Sequence, residues 1–188
     1  ILSNIEKNAS SKRMTTVAEF DRMKNMLTEA EDKLRKRIQL RQKDINQVVE
    51  KLNQAKKPLI IVGNGIRLAK GIEELKKFLN KTNIPVISAV NGNDLVNDDY
   101  IGYAGRFGTH AQICANTLLG EADFVLSIGS RLYVRQTGYN FEGFAKQAYK
   151  IHVDVDQDEV NKPTLFTDLK IHSDAKEFLN ILNTQKLP

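Results

Sequence analysis

Cysteine is nearly absent from this sequence: Cys114 is the only one. No internal disulfide can form, which fits a reducing compartment, and the expected location is the cytoplasm. Long apolar runs are missing too. Nothing approaches the ~18 consecutive apolar residues that a membrane-crossing helix needs, so no membrane partner is expected. The histidines His110, His152 and His172 are scattered, with no two at metal-ligand spacing, which argues against a zinc centre. Asp154, Asp156 and Asp158 begin like a calcium loop, but Glu159 stands where the turn glycine belongs and Leu165 where the terminal glutamate belongs. No metal site is expected. Nor does any Ser/His/Asp, Cys/His or paired-carboxylate arrangement with a recognisable spacing occur, so no catalytic residue is assigned. The chain opens at Ile1 without an initiator methionine or a signal-peptide pattern, which predicts a numbering that begins inside a longer polypeptide.

What is present describes a globular domain with an appendage. The 188 residues are 41% hydrophobic and 27% charged, with a formal net charge of +5 at pH 7. The basic excess is local: residues 1–57 carry 14 Lys/Arg against 8 Asp/Glu, whereas residues 58–188 carry 14 against 15. Acids alternate with the bases in that first segment and aromatic stacking residues are nearly missing, so it reads as a solvated helix face and no nucleic-acid partner is expected.

Residues 17–54 have helical periodicity. Phe20, Met23, Leu27, Ala30 and Leu34 form an apolar stripe that Arg37 and Arg41 interrupt, which predicts a helix packed on the rest of the protein; the stripe is too short for a coiled coil. Residues 1–13, rich in Ser, Asn and Lys, read as loose. Ile45, Val48, Val49 and Leu52 continue the helical pattern, and at Pro58 the period changes. Pro58–Val62 is a continuous apolar run closed by Gly63, as expected of a strand buried on both faces. Further strands are expected at Pro85–Val90, Phe124–Ile128, Lys150–Val155 and Leu169–His172. Helices are expected over the Ile72, Leu75, Phe78 and Leu79 stripe, over Thr109–Leu119, and after an N-cap at Ser173 with Asp174 in the first turn. Alternating strands and helices predict a three-layer, doubly wound parallel α/β sheet of about six strands, with residues 1–45 as a helical extension or linker and 46–188 as the main domain.

In such sheets ligands bind beyond the carboxyl ends of the strands. Gly63-Asn64-Gly65 follows the first strand and is either a nucleotide contact or a plain tight turn. Leu68 occupies the place of the third glycine of a dinucleotide fingerprint. Arg131 and Arg135, bounded by Gly129 and Gly138, follow the Phe124–Ile128 strand and are either a bidentate pyrophosphate clamp or two surface arginines. His110, in a loop entering a helix, is a candidate to face a ligand, whereas His152 and His172 read as structural. Asp154, at a strand end, is a candidate acceptor for a ribose hydroxyl. Cys114 reads as a small buried hydrophobe.

These segments, in this order, resemble the central domain of thiamine-diphosphate-dependent enzymes, most closely that of acetolactate synthase and its relatives. The motifs that carry the resemblance are Val62-Gly63-Asn64-Gly65, the loop and helix from Gly105 to Asn116, and Gly129-Ser130-Arg131 with Arg135, Thr137 and Gly138. Ile151-His152-Val153-Asp154-Val155-Asp156 and the helix from Asp174 to Leu179 complete the set, which spans about residues 46–183. The pattern departs at Tyr133 and Val134, where the synthases usually have two aspartates. Gln136–Phe141 is similar to synthase-type paralogues of surface-sugar pathways.

The resemblance implies an extended FAD, largely structural in role, held by Gly63, Asn64, Gly65, Gly108, Thr109, His110, Gly129, Ser130, Arg131, Arg135, Asp154, Val155 and Asp174. It further implies a homo-oligomeric parent enzyme that decarboxylates a 2-keto acid such as pyruvate. In that parent, thiamine diphosphate and magnesium are held by two other domains, whose activating glutamate and Gly-Asp-Gly segment this sequence lacks. On this reading the present chain is not catalytic alone. Two alternatives stand beside it: a vestigial scaffold domain that mediates packing and oligomerisation, and an independent NAD-binding Rossmann-like protein.

Overall fold

The computed structural model describes residues 16–29, 42–97 and 99–188. The chain divides into two compact units, Ile1–Gln39 and Leu40–Pro188. In the first, residues 16–29 form helix α1, which carries the stripe residues Phe20, Met23 and Leu27. Ala30, Leu34, Arg37, Arg41 and the segment 1–13 lie outside the described residues.

The second unit opens with α2 (Gln42–Gln54), which buries Ile45, Val48 and Leu52, the residues its periodicity placed on one face. Pro58 ends the helical pattern because its ring and missing N–H do not suit a helix interior, and β1 (Pro58–Val62) begins there. A short α3 (Gly65–Leu68) and α4 (Ile72–Thr82) follow, and Asn83 closes α4 in the left-handed conformation at φ 52°, which Asn tolerates better than most residues. Next come β2 (Val86–Ser88), β3 (Tyr103–Arg106), α5 (Ile113–Glu121), β4 (Phe124–Ile128) and a single-turn α6 (Val134–Thr137). The chain closes with β5 (Tyr149–Asp154), α7 (Gln157–Asn161), β6 (Leu169–His172) and α8 (Ala175–Thr184).

The six strands form one sheet in the order β3-β2-β1-β4-β5-β6, every pairing parallel. Alternate strand residues supply opposite faces, as the period of two requires. Ile60, Val62, Leu126, Ile128 and Val153 join a core with α2, α4 and α8, while Leu59, Ile61, Ile87 and Val125 join a second with α5, Leu132 and Phe144. The result is a three-layer α/β fold.

Four local expectations are corrected. β3 was not foreseen: it is a half-buried edge strand containing Gly105 at φ 90°, so neither alternation nor a solid apolar run marks it. β2 stops at Ser88, and a 3-10 turn over Val90–Gly92 replaces the rest of the predicted strand. α5 starts at Ile113, after Gln112 has turned back to accept the Arg106 amide at 2.7 Å. Asp174, not Ser173, caps α8: its Oδ1 accepts the amides of Lys176 at 2.8 Å and Glu177 at 3.0 Å, while the Ser173 amide donates to Asp154 O.

Candidate functional site

Because all strands are parallel, every segment singled out in the sequence leaves the sheet on its carboxyl edge. The strand order reverses between β1 and β4, the usual position of a ligand crevice in this architecture. Here that crevice is closed by backbone. The Gly63 amide donates to Ile128 O at 3.0 Å, the Gly65 amide to Gly129 O at 2.9 Å and the Ile66 amide to Gly63 O at 3.1 Å. A β-carbon on Gly63 would lie 2.2 Å from Gly129 O, and one on Gly65 would lie 2.7 Å from Gly129 Cα. Gly129 itself sits at φ 62°. The three glycines are therefore required by contact between the two strand-end loops, and the amides of Gly63, Gly65 and Ile66 are all taken by protein carbonyls. Asn64 is engaged as well: its Oδ1 accepts Arg67 Nη1 at 2.6 Å, and the same guanidinium reaches Asn91 O at 3.3 Å and the Asp94 carboxylate.

The segment after β4 is more open. Arg131 is exposed, and its Nε lies 3.6 Å from Glu159 Oε1. The Arg135 side chain has no hydrogen-bonding or ionic partner among the described residues, while its backbone carbonyl accepts the Thr109 amide at 2.9 Å. Gly108, at φ 114°, fits against that carbonyl, since a β-carbon there would approach it to 2.6 Å. Asn116 braces Gly108 from both sides, accepting its N–H and donating to its carbonyl, each at 3.0 Å. The loop after β3 is thus docked on the arginine segment, which carries the exposed His110 to its rim, with His110 Nδ1 3.1 Å from the Thr109 hydroxyl. A cavity of about 350 Å³ lies along this seam, lined by Gly108, Thr109, Asn116, Gln136, Gly138 and Phe144 among others.

At the β5 end, buried Asp154 accepts the Asp156 amide at 2.9 Å, and Asp156 in turn caps α7. Exposed Val155 gives its carbonyl to His172 Nε2 at 2.9 Å. Asp174, as the cap of α8, has its Oδ1 engaged by two amides. His152 is buried, and its Nε2 lies 2.9 Å from Ser130 O; a carbonyl can only accept, so Nε2 carries the proton. Burial pushes this imidazole below its ordinary 6.5, outweighing the Ser130 carbonyl and the Asp154 charge, which act in the opposite direction. Cys114 is exposed rather than buried, and its Sγ donates to Ala104 O at 3.0 Å.

The structure therefore brings Gly63, Gly65, Gly129 and Ser130 into one seam and joins Gly108 and Thr109 to the backbone of Arg135. Asp154 ends β5, and Val155 and Asp174 are placed in the turns that follow β5 and β6. Three residues of the site are not among the site candidates that the sequence offers. Gln136 is buried with Oε1 accepting from Ser130 Oγ at 3.3 Å and from the Tyr133 amide at 3.2 Å, and Glu159 and Lys162 reach the arginine segment from α7 and its C-terminal end. Their partners are distant in sequence or belong to an irregular turn, so no local spacing announces them.

A parallel sheet reversing at β1/β4, with glycine turns and two arginines on its carboxyl edge, describes a doubly wound α/β domain, and a known family matches it. Residues 45–182 match the family "Thiamine pyrophosphate enzyme, central domain", and the chain belongs to it. Within that family it is acetolactate synthase-like. It is 34% identical over 119 residues to the acetolactate synthase isozyme 2 large subunit of Escherichia coli K12, covering 63% of this chain and 22% of that protein. It is 34% identical over 137 residues to the probable acetolactate synthase large subunit of Methanococcus aeolicus, covering 73% of this chain and 22% of that protein. Glyoxylate carboligase of Escherichia coli O157:H7 is 34% identical over 139 residues, covering 73% of this chain and 23% of that protein. The matched segment thus spans less than a quarter of each of these relatives.

Proposed function

We propose that this chain is the central domain of a thiamine-diphosphate-dependent 2-keto acid decarboxylase or carboligase, that it is not catalytic alone, and that it holds the diphosphate of a flavin nucleotide on its carboxyl edge. What carries the reading is the open donor set after β4: the Arg131 and Arg135 guanidinia, with His110 on the neighbouring rim. Guanidinium groups bind phosphate oxygens bidentately, which suits a diphosphate. The donor chemistry fits the group at Arg131 and Arg135. It fits poorly at the Gly63–Gly65 turn, whose glycine amides are taken internally and whose role is to buttress the arginine loop.

Thiamine diphosphate, with magnesium, supplies the carbanion chemistry in such enzymes, and the proposal assigns it to two other domains of the parent. This domain's Arg131 and Arg135 bind and orient the diphosphate. Association with those domains and with further copies, in the cytoplasm, belongs to the same proposal.

A second reading, a packing scaffold with a vestigial site, is favoured by one observation: the crevice between β1 and β4 is filled by Gly129 and Ser130. Calorimetric titration of the chain with FAD, using ADP and NAD as comparators, separates the two. Saturable binding with FAD above the others supports the flavin site. Binding of none, in this chain and in the full-length parent alike, leaves the scaffold.

A further inference from the structure

Three consecutive carbonyls after β4 are held from the protein side. Ser130 O accepts from His152 Nε2 at 2.9 Å, and the Lys162 ammonium donates to Arg131 O and, at 3.1 Å, to Leu132 O. Among the described residues the peptide bonds are all trans, and in a trans peptide the N–H points opposite to the C=O. The amides of Arg131 and Leu132 are therefore turned away from His152 and Lys162, and neither has an acceptor among the described residues.

Leu132 is also buried at φ 47°, a left-handed conformation that is strained for a bulky residue and persists only where the surroundings hold it. Lys162 supplies that hold. Its side chain is 16% exposed, and its charge is compensated by the two carbonyls and by Glu159 Oε2 at 3.3 Å. Glu159 Oε1 lies 3.6 Å from Arg131 Nε, so the α7 end engages both the backbone and the guanidinium of the same arginine.

We propose that Lys162 is the positioning residue of the arginine loop. By clipping the carbonyls of Arg131 and Leu132 it keeps two amides turned away from the clip, and the exposed Arg131 guanidinium in place, as a seat for a phosphate-class anion. The identity of the anion rests on the nucleotide reading above; the clip itself does not.

The test uses the whole chain, with FAD and ADP as probes. Lys162→Met keeps the alkyl stem and removes the donors, and Lys162→Arg restores a cationic donor. Without nucleotide, amide order parameters of residues 130–133 are expected to fall in Lys162→Met from the rigid value of ~0.85 to below ~0.6, and to recover in Lys162→Arg, with β4 unchanged throughout. FAD affinity is expected to fall about tenfold in Lys162→Met, the scale of a hydrogen-bonding arrangement to a charged group. An equally ordered loop in Lys162→Met overturns the clip, and a loosened loop with unchanged FAD affinity overturns its role in the seat. If neither the unsubstituted chain nor the full-length parent binds either probe, the nucleotide reading fails and the order parameters alone decide the clip. Should Lys162→Met not fold, Lys162→Gln, which keeps a neutral donor on a shorter stem, is judged by the same two readouts.

Discussion

Replacing Gly63 with alanine separates packing from ligand binding as the reason for the glycine turn. The new β-carbon would sit 2.2 Å from Gly129 O, whereas real β-carbons essentially never approach closer than 3.0 Å, so the two strand-end loops must part by about 0.8 Å. That displacement falls on the seam holding the Gly63 to Ile128 and Gly65 to Gly129 hydrogen bonds, now 3.0 and 2.9 Å long. Overpacking a well-filled interior costs about 1–3 kcal/mol, and each weakened hydrogen bond adds ~0.5–1.5 kcal/mol. The expected destabilisation is about 3–5 kcal/mol. In urea, with a slope of ~2 kcal/mol per molar, the midpoint should fall by roughly 2 M. Gly120→Ala is the internal control: Gly120 lies within α5 with nothing within 4 Å of its added β-carbon, and the substitution should stabilise by about 0.5–1 kcal/mol. A Gly63→Ala chain with an unchanged midpoint and lost nucleotide binding would refute the packing argument and return the turn to the ligand.

Three further outcomes are expected. Arg131→Ala should weaken FAD binding by about 1.5–3 kcal/mol in calorimetry. It should leave the urea midpoint nearly unchanged, because its ion pair with Glu159 is solvent-exposed on the arginine side and such pairs contribute ~0–1 kcal/mol; unchanged affinity rejects the clamp. His152 has a folded-state pKa below its ordinary 6.5, so below that pH the unfolded chain takes up a proton that the native state resists. Its contribution makes stability fall as pH drops from about 6.5 towards the lowered folded value, and His152→Gln should flatten the fall; identical pH slopes for both chains would contradict it. Asp174→Ala should cost about 1 kcal/mol by loss of the α8 cap, read as a shifted urea midpoint, and no shift would return the cap to Ser173.

The sequence specifies the central strands β1 and β4. Strands buried on both faces are written as near-continuous apolar runs, and Pro58 and Gly63 mark the ends of the first one. It also determined the stripes of α2 and α4, because a helix that buries one face repeats its apolar residues every three to four positions. It placed the arginine segment and the glycine turns on one edge, since parallel strands joined by helices all deliver their carboxyl ends to the same side.

Other features were decided only by contacts between distant segments. β3 pairs with β2 at the sheet edge without an apolar pattern of its own. Cys114 and Ile113 face solvent because α5 is apolar on several sides and only its packing selects the buried one. Whether Gly63 and Gly65 meet a phosphate or another backbone could not be read from their spacing, because the atoms that fill their hydrogens' side belong to Gly129 and Ser130. The Lys162 clip joins positions about thirty residues apart, and hydrogen bonds to backbone carbonyls leave no side-chain signature at the accepting residues.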